Sequence, residues 1–168
     1  MEPPATDRLG WWETDLPQNF THISTVQELV DELAAGADQL VVVDFFAPWC
    51  RACKALFPKF KKLCVEHSDV KFIGVNFDEN KGLARSLGVK VLPFFHFYRG
   101  AEGRVGAFTA SVSKVNRLRE AIEDYKSDRC FLEETPAAPL AEFPSVLPGN
   151  GLAGKVKNAP IKSEELVA

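Results

Sequence analysis

The stretch Gln39-Leu40-Val41-Val42-Val43-Asp44-Phe45-Phe46-Ala47-Pro48-Trp49-Cys50-Arg51-Ala52-Cys53-Lys54 constrains this chain more than any other. Residues 40–46 are apolar except at Asp44. Continuous apolarity, rather than alternation, marks a strand covered on both faces. Ala47-Pro48 ends the run, Cys50 and Cys53 follow three positions apart, and a helical period begins at Arg51. A buried strand, a short turn and paired thiols at a helix start together make a redox motif.

A thiolate, not a thiol, attacks a disulfide. At a helix N-terminus the unpaired backbone N–H groups and the positive dipole end lower a cysteine's pKa, and the adjacent Arg51 cation acts in the same direction. Cys50, ahead of the first full turn, is expected to be the exposed nucleophile. Cys53, one turn in, is expected to be more buried and to resolve the mixed disulfide. An acid inside a core strand should have a raised pKa. Asp44 is read as a proton acceptor beneath the thiols, with a structural acid satisfied by hydrogen bonds or water as the alternative.

The rest of the chain supplies the other elements of an α/β domain. Residues 1–19 hold Pro3, Pro4, Pro17 and the pair Trp11-Trp12, without strand or helix period. They read as an arm, its tryptophans either anchoring it to the domain or offering an aromatic patch to substrate. Residues 20–23 form a short strand. Thr25 and Glu28 have capping-box spacing. Val26, Leu29, Val30, Leu33 and Ala34 give the next helix an apolar face, and Gly36 stands where it should stop.

The second helix runs over 51–67 with Leu56, Phe57, Phe60, Leu63 and Cys64 as its stripe. Pro58 should kink it, and His67 should meet solvent at its end. A strand over 70–77 and a short helix through Leu83, Ala84 and Leu87 follow, stopped at Gly88. Val91 and residues 94–98 read as strand, interrupted by Leu92-Pro93. Residues 99–103 make a hairpin turn with Gly100 and Gly103, 104–109 the return strand. A last helix, capped by Ser111 or Ser113, buries Val115, Leu118, Ala121 and Ile122.

Beyond it, five of the eleven prolines fall between residues 136 and 160. The expected organisation is an arm over 1–19, one domain over 20–127, and a disordered Pro/Ala-rich tail over 128–168. Cys130 in that tail is read as a thiol without a role, or else as a regulatory partner for Cys50 or for a second chain.

Composition narrows the function. A net charge of −3 argues against a nucleic-acid binder. No apolar segment reaches the roughly 18 residues of a membrane span. Four cysteines, only two of them close, are no disulfide framework, and a reducing or actively poised compartment fits better. The first seven residues, with two acids and two prolines, resemble neither a secretory signal nor a transit peptide. Zinc is the rival for a Cys-x-x-Cys pair, since Cys64 and His67 complete a four-ligand pattern. Along one helix, however, Cys53 and Cys64 stand roughly 16 Å apart at about 1.5 Å per residue, and zinc ligands lie within about 2.3 Å of the ion. No metal and no cofactor are expected.

The spacing of Asp44, Trp49-Cys50-x-x-Cys53-Lys54, Pro58 and Pro93 resembles the thioredoxin superfamily. The resemblance implies an α/β thioredoxin fold, a central mixed β-sheet flanked by helices on both faces. It implies a redox disulfide between Cys50 and Cys53, with Cys50 as nucleophile, Cys53 as resolving thiol and Asp44 as buried acid. It further implies a cis Leu92-Pro93 bond and a target groove formed by Trp49, Leu92 and Pro93, where an extended peptide adds as a strand. Residues 91–104, Trp11-Trp12 and Cys53-Lys54-Ala55-Leu56-Phe57-Pro58 are similar to the plant and algal atypical Cys/His-rich thioredoxins. That likeness implies a chloroplast location, with the cytoplasm as alternative, and stromal targets such as 2-Cys peroxiredoxins.

The chain departs from those patterns at four places. Arg51-Ala52 replaces the Gly-Pro of ordinary thioredoxins and tunes the loop toward a less reducing pair. Gly74 stands in place of a lysine near the buried acid. Gly106 and Ala110 stand where further cysteines are expected. The expected function is that of a monomeric protein-disulfide oxidoreductase exchanging with protein dithiol and disulfide targets. The alternative is a redox-sensing interaction module whose Cys50–Cys53 pair switches binding without turnover.

Overall fold

A computed structural model describes residues 9–127 of the chain. The expected disorder of 128–168 and both readings of Cys130 fall outside the described residues. Five strands, β1 (Phe20–Ile23), β2 (Leu40–Phe46), β3 (Lys71–Asn76), β4 (Phe94–Arg99) and β5 (Gly103–Thr109), form one sheet in the order β1-β3-β2-β4-β5. β1 and β2 flank β3 in parallel, β4 runs antiparallel to β2, and β5 closes the sheet antiparallel to β4. The helices are α1 (Val26–Ala35), α2 (Arg51–Glu66), α3 (Lys81–Ser86) and α4 (Val115–Lys126). The sheet is mixed and helices cover both faces, as a thioredoxin fold requires.

β2 is central because all seven of its residues are buried. Its Leu40 and Val42 join Phe20, Phe72, Phe95 and Phe97 under α2 and α4, where Phe57, Phe60, Leu63, Leu118 and Ile122 pack. Its odd positions join Ile73 and Val75 under α1 and α3. Each fully buried side chain of this size stabilises the fold by about 1.5–3 kcal/mol. α1 starts in the expected capping box: Glu28 N donates to Thr25 Oγ1 at 3.1 Å, and Thr25 N to Glu28 Oε2 at 3.3 Å. Among the described residues no helix is long and apolar enough to cross a membrane.

Gly36 ends α1 as expected, in right-handed backbone (φ −65°), with the left-handed position on Ala37 (φ 48°). Glycine serves at 36 for closeness, since a Cβ would come within 2.9 Å of Val41 Cγ2. Several other local expectations are corrected. Ala34 is exposed, because it lies on the rim of the α1 stripe. Val91 is exposed and precedes β4 instead of belonging to it. Neither Ser111 nor Ser113 caps α4. Their hydroxyls bond each other at 3.0 Å, and a single tight turn, Val112–Lys114, leads into the helix.

His67 is buried, not solvent-facing. The C-terminal end of α2 lies under α4, so His67 Nδ1 meets Glu123 Oε1 and Lys126 Nζ, each at 3.3 Å.

Candidate active site

The site lies at the C-terminal end of β2, where Ala47-Pro48-Trp49 turns the chain into α2. Cys50 is the N-cap of α2, and its Sγ accepts from Cys53 N at 3.2 Å. Sulfur therefore occupies the position where a hydroxyl or carboxylate usually satisfies an orphan helix donor. The Cys50 and Cys53 Cα atoms are 5.3 Å apart and the sulfurs are bonded as a disulfide. Against expectation, Cys50 is scarcely more exposed than Cys53, at 6% and 4%. Phe46 and Ala47 pack with both cysteines, and Trp11, Trp12, Phe77 and Leu92 close around that cluster.

The proposed target surface surrounds the pair. Trp49 is 64% exposed and its indole N–H lies 3.1 Å from both carboxylate oxygens of Asp78. Leu92-Pro93 is a cis peptide bond. Leu92 rests against the cysteine cluster, Pro93 is buried, and Thr109 Oγ1 donates to the Pro93 carbonyl at 2.7 Å. Arg51 and Ala52 face outward in the first turn of α2. Trp11 packs edge-on against Phe46 and Phe57, and its indole donates to the Pro48 carbonyl at 3.1 Å. The arm thus anchors to the rear of the disulfide turn.

Asp44 sits on the α2 face of β2, in register with Gly74 on β3 and Phe95 on β4. It is 5% exposed and its Oδ1 has no hydrogen-bond partner among the described residues. Desolvation pushes its carboxyl up to about 8, so the acid carries a proton at neutral pH. No side chain or backbone group among the described residues bonds Oδ1. Cys64, fully buried on the same face, has its thiol pushed up by burial first and by Asp44 second. It is a core residue, as its place on the helical stripe implied.

Residues 20–124 match the family model described as Thioredoxin. The chain belongs to the thioredoxin family. Among curated relatives it is 46% identical over 122 residues to rice (Oryza sativa subsp. japonica) "Thioredoxin-like 2, chloroplastic", covering 73% of this chain and 56% of the relative. It is 41% identical over 168 residues to Arabidopsis thaliana "Thioredoxin-like 1-1, chloroplastic", covering 98% of this chain and 61% of the relative. The chain thus spans little more than half the length of these relatives. The crystal structure of spinach chloroplast thioredoxin f, short form, is similar at 36% identity and a TM-score of 0.59, covering 64% of this chain and 94% of that one. The family makes this a thioredoxin-type redox protein, resembling plant thioredoxin-like proteins.

Two residues beside this turn and its strand were not anticipated. Asp78 was legible only as part of a turn, yet Asn76 Oδ1 accepts from its backbone N–H at 3.0 Å and the turn holds its carboxylate under Trp49. His22 lay unremarked in the first strand. Its signal was a polar residue two positions after Phe20, hence on the same inward face of a strand.

Proposed function

We propose that this thioredoxin exchanges its Cys50–Cys53 pair with disulfides of protein targets. Cys50 thiolate attacks a target disulfide and forms a mixed disulfide while the other target sulfur leaves as thiolate. Cys53 gives its proton to Asp44 carboxylate and attacks Cys50 Sγ. The Cys50–Cys53 bond forms, the mixed disulfide breaks, and the target leaves as its second thiolate. Two electrons pass from the pair to the target. Run in reverse, the same steps oxidise a dithiol. The observation that carries this reading is the disulfide capping α2 at the end of β2, with Leu92 packed on the same cluster.

Trp49, Leu92 and Pro93 form the groove for an extended target segment, and Arg51 and Ala52 tune the stability of the Cys50 thiolate. The domain acts as a monomer over residues 20–127, with 1–19 as its arm. Chloroplastic relatives support a plastid setting, in which 2-Cys peroxiredoxins are the target class. The test is Cys53→Ser, mixed with oxidised 2-Cys peroxiredoxin. A covalent adduct mapped to Cys50 and released by dithiothreitol supports the reading. Recovery of the same partner without a disulfide contradicts it.

A further inference from the structure

Asp44 receives a proton in every reductive cycle and has to lose it before the next. Its Oδ1 is buried without a hydrogen-bond partner among the described residues, so the route by which its proton leaves matters. One polar side chain approaches it from the far side of β3. The parallel ladders place His22 opposite Gly74, and Gly74 opposite Asp44. Residues in register across a sheet share a face, so His22 and Asp44 point the same way, two strands apart.

Gly74, having no side chain, lets the His22 ring lie over β3. A Cβ on Gly74 would come within 2.5 Å of His22 Nδ1 and 2.9 Å of Phe20 Cζ. The imidazole therefore lies over β3, and it reaches toward β2 far enough for its centroid to stand 5.4 Å from the Phe46 ring. Adjacent strands are about 4.8 Å apart. With the ring over the middle strand, about one strand spacing separates Nδ1 from Asp44, the span of one bridging water with two hydrogen bonds.

The tautomer is set from the other side. His22 Nε2 lies 2.6 Å from the Trp12 carbonyl oxygen. A carbonyl only accepts, so Nε2 carries the hydrogen and Nδ1 of the neutral ring presents a lone pair. His22 is only half-buried, so a proton arriving there reaches solvent.

We propose that His22 is the positioning residue for the proton of Asp44, its Nδ1 accepting that proton through one water between the two side chains and passing it to solvent. The assignment rests on the redox reading above. Cys53 S–H gives its proton to Asp44 as Cys53 attacks Cys50. Asp44 then passes a proton to the water as the water passes another to Nδ1. The resulting imidazolium, still bonded to the Trp12 carbonyl, releases a proton to solvent, and Asp44 is again ionised. No electrons move in these transfers. Among the described residues, Cys64 of α2 faces Asp44 on this side, Cys53 lies in the first turn of the same helix, and Tyr125 of α4 packs farther along the face. β3 contributes Gly74, β4 contributes Phe95 and the arm contributes the Trp12 carbonyl, none of which titrates.

His22→Gln separates a relay from packing, because the amide N–H can still serve the Trp12 carbonyl but the side chain takes up no proton. In the reduced full chain, the carboxyl ¹³C signal of Asp44 should titrate about one pH unit higher in His22→Gln than in wild type. Resolution of a preformed Cys50 mixed disulfide with glutathione should slow about tenfold at pH 7. Attack by Cys50, measured on a Cys53→Ser background, should not change. An unmoved Asp44 titration, or equal slowing of both steps, overturns the proposal.

A second measurement needs no variant of His22. The wild-type His22 ring Hε1 signal should show an inflection at the Asp44 midpoint that Asp44→Asn removes, and a curve without that inflection overturns the proposal. This coupling requires no turnover, so it decides His22 even if the chain reduces no protein disulfide.

Discussion

The Trp11 indole donates to the carbonyl of Pro48 at 3.1 Å, joining the arm to the turn that delivers Cys50 to the head of α2. Trp11 also packs on Phe46 and Phe57 and against the cysteine cluster. The arm is therefore part of the site's support. Trp11→Ala should cost about 2–3 kcal/mol in urea unfolding, for the lost aromatic burial and edge contacts. Trp11→Phe keeps most of the packing and should cost about 1 kcal/mol for the hydrogen bond.

Asp44 should destabilise the folded chain at neutral pH. Burial raises its carboxyl to about 8 from 3.8. The unfolded chain releases the proton from about pH 4 upward while the folded chain keeps it. Stability from this group is then greatest below pH 4, declines as pH rises to about 8, and changes no further above that. Asp44→Asn, a neutral copy of the protonated acid, should be more stable at pH 7 by roughly 2–4 kcal/mol. Thermal melts across pH 4–9 should show the gap to wild type opening as pH rises.

In the proposed cycle the same carboxyl should set the pH dependence of resolution. Only ionised Asp44 can accept the proton of Cys53, and its midpoint lies at about 8. The rate of Cys53 attack on a mixed disulfide should climb about tenfold per pH unit below that midpoint and level off above it. Stopped-flow measurement on a preformed mixed disulfide checks this. Asp44→Asn should be slower and should lose the inflection.

Most of the fold was legible because the apolar periods and turn residues agreed with one another. The strand inside β2, the capping box at Thr25 and Glu28, and the paired thiols at a helix start each followed from local sequence. What was not legible came from elements distant in the chain. His67 looked solvent-facing because nothing local shows that α4 returns over the end of α2. Cys50 looked exposed because Trp11 and Leu92 reach it from 39 and 42 residues away. The reason for glycine at 106 is equally remote, since a Cβ there would overlap the Tyr125 hydroxyl. The contact of Asp78 with Trp49 and the place of His22 opposite Gly74 came only with a turn and a neighbouring strand set in place.

Turnover of a protein disulfide tests the central claim most directly. Reduced chain, resupplied by dithiothreitol, should reduce insulin disulfides at a rate proportional to its concentration, with Cys50→Ser inactive. Insulin reduced no faster than by dithiothreitol alone, while Cys50 and Cys53 still cycle between dithiol and disulfide, would contradict it and leave a redox-sensing binding module.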